Sequence, residues 1–127
     1  MNKNYNYKVK HKNFNKFKVA FNGVRVVFLE ESSFRYQFFI LVVTVIFGLI
    51  FGLSKDEWMA ITFVATLVFT FEIVNTAVEN IMDLVSPDYN ALVGKIKDIT
   101  AASVLVATFG AIIIGLIIFS PKIINIF

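Results

Sequence analysis

The chain has 127 residues, of which 57% are hydrophobic, and a mean hydropathy of +0.75. Its length fits a single domain, and its composition excludes an ordinary soluble globule and indicates a protein that lies in a lipid bilayer. The absence of cysteine excludes disulfides, thiolate metal sites and a cysteine nucleophile. The net charge is only +3, but eight of the twelve lysine and arginine residues precede the first strongly apolar run.

Residues 1–13 are predicted to form a basic tail, which contains the single histidine, His11. A nucleic-acid-binding arm is one explanation of such a tail. Cations beside a membrane segment are explained more simply by anionic lipid headgroups and by membrane topology, so no nucleic-acid partner is expected. His11 is interpreted as a solvated side chain. A signal peptide is not expected, because the charged region is long and no small-residue cleavage site follows the first apolar run.

A surface-lying amphipathic helix is predicted over residues 14–35. Its apolar residues recur at the spacing of one helical face, which is typical of a helix at a membrane interface. Glu31 continues that apolar face, whereas Glu30 points away from it as a surface carboxylate would. A carboxylate on the buried side of such a helix needs a partner or a function.

Three apolar stretches are predicted to span the membrane, at residues 38–53, 58–74 and 99–119. The short connections between them predict antiparallel neighbours, and Ser86 or Asn90 is expected to cap the last helix. Cations concentrate before the first span and after the second, so the positive-inside rule places the N-terminus and the second connection in the cytoplasm. The predicted fold is an all-α membrane protein, with one surface helix and three transmembrane helices in a single domain.

The stretch FEIVNTAVENIMDL carries an unusual row of polar residues at the end of the second predicted span. Glu72, Asn75, Glu79 and Asp83 follow at i, i+3, i+7 and i+11, so a helix gathers them within an arc of about 80°. A helix leaving the membrane would also become polar here. A one-sided row of three carboxylates is nevertheless energetically costly beside lipid and indicates a function. Glu72 would lie about 21 Å from the outer interface, near the cytoplasmic edge of the hydrocarbon.

Clustered carboxylates can bind Mg²⁺ together with phosphate oxygens, and one of them can serve as a general base. Lys97 supplies a cation for a polyphosphate at the same level, although the positive-inside rule alone also explains a lysine there. No P-loop or kinase glycine-rich loop occurs in the sequence. The combination favours phosphoryl transfer to a lipid hydroxyl. The alternative is a non-enzymatic ion- or proton-conducting oligomer, for which acids near the midplane would be expected.

The motif ExxNxAxExxxD from Glu72 to Asp83, preceded by ExxFR at Glu31 to Arg35 and followed by KD at Lys97 and Asp98, resembles the small bacterial integral-membrane diacylglycerol kinases and undecaprenol kinases. VNTAVENIMDL and GKIKDITAASVL are more similar to the undecaprenol branch, whereas EESSFR is more similar to the diacylglycerol branch. The resemblance implies an ATP- and Mg²⁺-dependent lipid kinase in lipid recycling for envelope or phospholipid synthesis. It also implies a homotrimer with shared sites in the bacterial inner membrane, its active site facing the cytoplasm.

The resemblance further implies roles for individual residues. Glu72 would be the general base that takes the proton of the lipid hydroxyl, with Asn75 and Asp83 supporting it. Glu31 and Glu79 would bind the metal. The implied nucleotide contacts are Lys12, Glu31, Glu79, Asp88, Tyr89, Asn90, Lys97 and Asp98. The implied lipid contacts are Ser33, Arg35 and Glu72.

Overall fold

The computed structural model describes residues 15–127, which form four α-helices. They are α1 (Lys16–Glu30), α2 (Ser32–Phe51), α3 (Lys55–Val85) and α4 (Ala91–Ile124). Within this described part of the chain there are no strands, and the predicted all-α fold is confirmed. The implied nucleotide contact of Lys12 lies outside the described residues.

Helices α2, α3 and α4 are each long and apolar enough to cross a membrane, as predicted. α3 has 31 residues and α4 has 34. At ~1.5 Å per residue these helices are about 46 and 51 Å long, which exceeds the ~30 Å hydrocarbon core of a bilayer. Both therefore extend beyond the spans predicted from hydropathy alone. The extension of α3 places the whole acidic row on one uninterrupted helix, and its predicted helical conformation is confirmed.

Local sequence determines where the helices begin and end. Asn15, Ser54 and Asn90 are N-caps whose side-chain oxygens accept hydrogen bonds from backbone N–H groups two or three residues later, at 3.0, 3.2 and 2.8 Å. The predicted cap by Asn90 is thereby confirmed. Gly52 ends α2 with a φ of 70°, a left-handed conformation that glycine adopts readily.

Glu31 separates α1 from α2. Its backbone is extended, with φ −110° and ψ 113°. Residues 32–35, which the sequence pattern assigned to the surface helix, form the first turn of α2 instead. Apolar residues continue at helical spacing across this junction, and the junction contains no glycine or proline. The sequence pattern alone therefore does not indicate that the helix breaks here.

The two ends of the helix bundle are packed differently. At the end with the α2–α3 turn, here the turn end, Lys122 Nζ of α4 lies 3.1 Å from a carboxylate oxygen of Glu57 of α3. Beside this ion pair, a buried apolar cluster joins the turn to α3 and α4 through Leu53, Ile61 and Ile118. The opposite end, here the acidic end, contains the acidic row, the α1–α2 junction and the α3–α4 loop. There, edge-on ring contacts link α1, α2 and α3: Phe28 with Phe34 and Phe38, and Phe34 with Phe69.

Gly48 lets α2 lie close to the side chains of Leu53 and Trp58 at the turn end. A Cβ added at this buried position would lie 2.6 Å from Trp58 Cη2 and 2.9 Å from Leu53 Cδ1. Gly48→Ala is therefore expected to destabilise the fold by about 1–3 kcal/mol through overpacking. Thermal unfolding in detergent, followed by circular dichroism, should show a lowered midpoint. Gly110→Ala is the matched control, because a Cβ there meets nothing within 4 Å; equal midpoints for the two variants would contradict this account.

Candidate active site

Among the described acidic residues, Glu72 is the one that is buried, with 4% of its surface exposed. Gln37 Nε2 donates a hydrogen bond to its Oε1 at 2.7 Å, and the Ser33 hydroxyl makes a longer contact with its Oε2 at 3.5 Å. Both donors lie on α2, whereas the carboxylate lies on α3. The first turns of α2 therefore orient both oxygens of Glu72, and these hydrogen bonds offset part of the cost of burying a carboxylate.

Glu79 lies two turns further along α3, on the same side as Glu72. Seven residues of α3 separate the backbones of Glu72 and Glu79 by about 10 Å along the helix axis. Asn75 lies between them and donates from Nδ2 to Glu79 Oε1 at 3.4 Å. Its Oδ1 is buried and finds no hydrogen-bond partner among the described residues. The face of α3 thus combines carboxylate oxygens with an available amide oxygen.

The chemistry of these oxygen donors fits a divalent cation. The Glu79 carboxylate supplies negative charge, and the buried Asn75 oxygen belongs to the ligand type that Mg²⁺ prefers. Across residues 15–127, no three acidic or histidine side chains converge on one metal position. Mg²⁺ is usually bound by one or two carboxylates together with substrate phosphates, so a set of this size suits it. Glu31 lies at the end of α1, which contacts both α2 and α3, and its pairing with Glu79 stays a prediction.

Asp83 and Lys97 form an ion pair across α3 and α4, with 2.5 Å between Lys97 Nζ and Asp83 Oδ1. Their side chains are 31% and 36% exposed, so the pair is accessible from water. The sequence placed both residues in the site but did not predict that they pair. The antiparallel packing of α3 and α4 after a short loop brings them together.

The residues of the α3–α4 loop lie beyond this ion pair. Asn90 caps α4, and Tyr89 is 93% exposed. Tyr89 and Asp98 line an open surface groove of about 420 Å³ that Lys97 does not line. Lys97 and Asp98 therefore point in different directions, and their joint contact with one nucleotide stays a prediction, as do the contacts of Asp88, Tyr89 and Asn90.

An apolar cleft of about 340 Å³ lies between α2, α3 and α4. Of the cleft residues on α2, Gln37 is the nearest to the acidic end, and it connects the cleft to Glu72 through its hydrogen bond. Gln37 was not among the predicted site residues. A signal was available, because Ser33 and Gln37 are spaced i, i+4 and so share a helical face where the chain becomes apolar.

The three long apolar helices are those of a membrane protein, and the candidate site lies at the acidic end of these helices. Residues 18–119 match the family model described as Prokaryotic diacylglycerol kinase. Undecaprenol kinase of Bacillus subtilis (strain 168) is 33% identical over 109 residues, covering 86% of this chain and 89% of the relative. Diacylglycerol kinase of Haemophilus influenzae is 29% identical over 93 residues, covering 73% and 79%. Diacylglycerol kinase of Escherichia coli (strain K12) is 27% identical over 94 residues, covering 74% and 77%. The chain therefore belongs to the prokaryotic diacylglycerol kinase family, which confirms the resemblance drawn from its motifs.

Proposed function

We propose that this protein is a membrane lipid kinase that transfers the γ-phosphate of ATP to the hydroxyl group of undecaprenol. The family and the relatives' names support a lipid kinase. The preference for undecaprenol over diacylglycerol rests on the Bacillus subtilis undecaprenol kinase, which is 33% identical, against 29% and 27% for the two diacylglycerol kinases. It also rests on the motifs around Glu72 and Lys97.

The buried, oriented carboxylate of Glu72 is the observation that carries this proposal. A general base must hold an acceptor oxygen beside the proton that it removes. Glu72 accepts the proton of the lipid hydroxyl while the lipid oxygen bonds to the γ-phosphorus. The bond from that phosphorus to the bridging oxygen breaks, and ADP leaves with the electron pair. Ser33 and Gln37 keep the carboxylate aimed from α2 during this transfer.

The remaining polar residues would serve the nucleotide and its metal. Glu31 and Glu79 would hold Mg²⁺, which when bound neutralises charge on the phosphates. Lys97, held beside Asp83, would add a positive charge for the phosphate oxygens. The residues proposed for the rest of the nucleotide are Lys12, Asp88, Tyr89, Asn90 and Asp98.

The apolar cleft would hold the hydrocarbon chain of the lipid, because Gln37 connects it to Glu72. Ala111→Leu would narrow this cleft, since Ala111 lines it from α4. We expect the KM for the lipid to rise roughly tenfold, equivalent to about 1.4 kcal/mol, with the KM for ATP unchanged. Gly110→Leu is the matched control, because Gly110 does not line the cleft and a Cβ there meets nothing within 4 Å. An unchanged lipid KM in Ala111→Leu would place the hydrocarbon chain elsewhere.

The acidic end is proposed to face the cytoplasm of a bacterial inner membrane, because Arg35 at the start of α2 and Lys95 and Lys97 near the start of α4 lie at that end. A homotrimer with shared sites is proposed from the family resemblance and from a physical argument: three helices enclose little space for a lipid and a nucleotide together. Light scattering in detergent would measure the protein mass of the oligomer. A monomer that is fully active would contradict the proposed assembly.

The acceptor is tested with purified protein, labelled ATP and separate preparations of undecaprenol, diacylglycerol and ceramide. We expect the highest kcat/KM with undecaprenol. A higher value with diacylglycerol would overturn the acceptor assignment but leave the kinase intact. Ion uptake into liposomes, without phosphate transfer to any of the three lipids, would favour the conducting oligomer.

A further inference from the structure

The side chain of Arg35 holds the C-terminus of α1. Its Nη1 donates hydrogen bonds to the carbonyl oxygens of Phe28 at 2.8 Å and Leu29 at 3.0 Å. Carbonyl groups in the last turn of a helix lack partners within the helix and carry partial negative charge. The guanidinium group satisfies two of them and complements the helix dipole.

Arg35 itself belongs to α2, so this contact bridges the junction at Glu31. The Glu31 N–H donates to Val27 in α1 at 2.9 Å, and the Glu31 carbonyl accepts from the Arg35 N–H at 3.4 Å. Together with the side-chain bonds of Arg35, these backbone bonds connect the end of α1, Glu31 and the first turn of α2. The edge-on ring contacts of Phe28 with α2 add an apolar bridge across the same junction.

The junction also determines where the first turn of α2 meets α3. Ser33, which contacts Glu72, lies two residues after Glu31 in the same turn as Arg35. A change in the angle between α1 and α2 would move Glu31 relative to the acidic row on α3. The contacts of Arg35 are thus placed to control the geometry of Glu31, although Arg35 itself reaches neither Glu72 nor Glu79 through a hydrogen bond shown in the structure.

We infer that Arg35 is a positioning residue, which clamps the end of α1 and thereby holds Glu31 in place for the metal and nucleotide. This inference rests on the proposed function, in which Glu31 binds Mg²⁺ with ATP. It replaces the lipid contact that the family resemblance implied for Arg35. The two roles differ kinetically, because a clamp on Glu31 affects the Mg²⁺ and ATP dependence, whereas a lipid contact affects the KM for the lipid.

Arg35→Gln tests the clamp, with Arg25→Gln as the control for removing one exposed arginine near the membrane surface. We expect the Mg²⁺ concentration for half-maximal rate and the KM for ATP to rise roughly tenfold in Arg35→Gln, with the lipid KM unchanged. Arg35→Lys, which keeps a charged donor, should recover part of the loss. Adding Arg35→Gln to Glu31→Gln should have little further effect, because both changes act on one group. A raised lipid KM, or effects that add, would overturn the inference while leaving the kinase assignment intact.

A structural readout separates failure of the clamp from failure of the kinase assignment. The chain has no cysteine, so Lys18→Cys on α1 and Leu84→Cys on α3 would carry spin labels at exposed sites. The labelled chain is mixed with excess unlabelled protein, and the distance distribution is measured by pulsed electron paramagnetic resonance. It should broaden in Arg35→Gln, broaden less in Arg35→Lys, and stay unchanged in Arg25→Gln. An unchanged distribution in Arg35→Gln would overturn the clamp even if the protein transfers no phosphate.

Discussion

Replacing Glu72 by glutamine is expected to reduce phosphate transfer roughly 10³-fold, within the range by which a positioned general base accelerates a reaction. Glutamine has nearly the same size and fills the same buried position, but its amide cannot accept the hydroxyl proton. The measurement is kcat at saturating ATP, Mg²⁺ and lipid. Because the affected step is chemical, the KM values for ATP and the lipid should change little.

Glu57→Gln is the control for this experiment. Glu57 lies on the same helix, but at the turn end, where it pairs with Lys122. It should retain activity, and its stability in detergent is measured alongside to account for the lost ion pair. Thermal unfolding and oligomer mass establish that Glu72→Gln is folded. A folded Glu72→Gln protein with activity within a few-fold of wild type would refute the assignment of the base.

Replacing Glu79 by glutamine is expected to have the second largest effect, on the metal dependence. The substitution removes a negative charge beside the Asn75 amide while keeping the side-chain length. We expect the Mg²⁺ concentration for half-maximal rate to rise by about 10²-fold and kcat to fall, since Mg²⁺ binds through few carboxylates and each one matters. The rate is measured over a Mg²⁺ titration at fixed ATP and lipid.

Glu30→Gln provides the comparison for Glu79→Gln, because Glu30 is a carboxylate on the surface helix that the site does not use. Its Mg²⁺ titration should match that of the wild-type protein. If Glu79→Gln also matched wild type, Glu79 would not be a metal ligand. If no Mg²⁺ concentration restores the activity of Glu79→Gln, calorimetry of ATP binding in the presence of Mg²⁺ decides the matter. Weakened binding would support Glu79 as a metal ligand, and unchanged binding would contradict it.

The acidic row could be predicted from the sequence because a single rule governs it. Residues on one helix repeat at a fixed angle, so Glu72, Asn75 and Glu79 had to share a face wherever the helix packed. Lys97 and Asp98 are neighbours on α4, about 100° apart around the helix, so the same rule directs their side chains to different faces. Helix caps such as Asn90 were predictable for a similar reason, since they depend on residues only two or three positions away.

Contacts between helices were not predictable in the same way. The pairing of Asp83 with Lys97 depends on how α3 and α4 pack, and the hydrogen bond of Arg35 to α1 joins residues on opposite sides of the break at Glu31. The hydrogen bond from Gln37 to Glu72 joins residues 35 positions apart. The lipid acceptor is harder still to predict, because a largely apolar cleft suits an isoprenoid or an acyl chain equally well.

Phosphate transfer by the purified protein in vesicles tests whether it is a lipid kinase with Glu72 as its base. The vesicles contain undecaprenol and Mg²⁺, and the ATP is labelled either at the γ-phosphate or at the α-phosphate. We expect γ-label to enter the lipid with wild-type protein, α-label to stay out of the lipid, and Glu72→Gln to transfer roughly 10³-fold less γ-label. Absence of γ-label from the lipid with folded wild-type protein, or equal transfer by Glu72→Gln, would contradict this expectation.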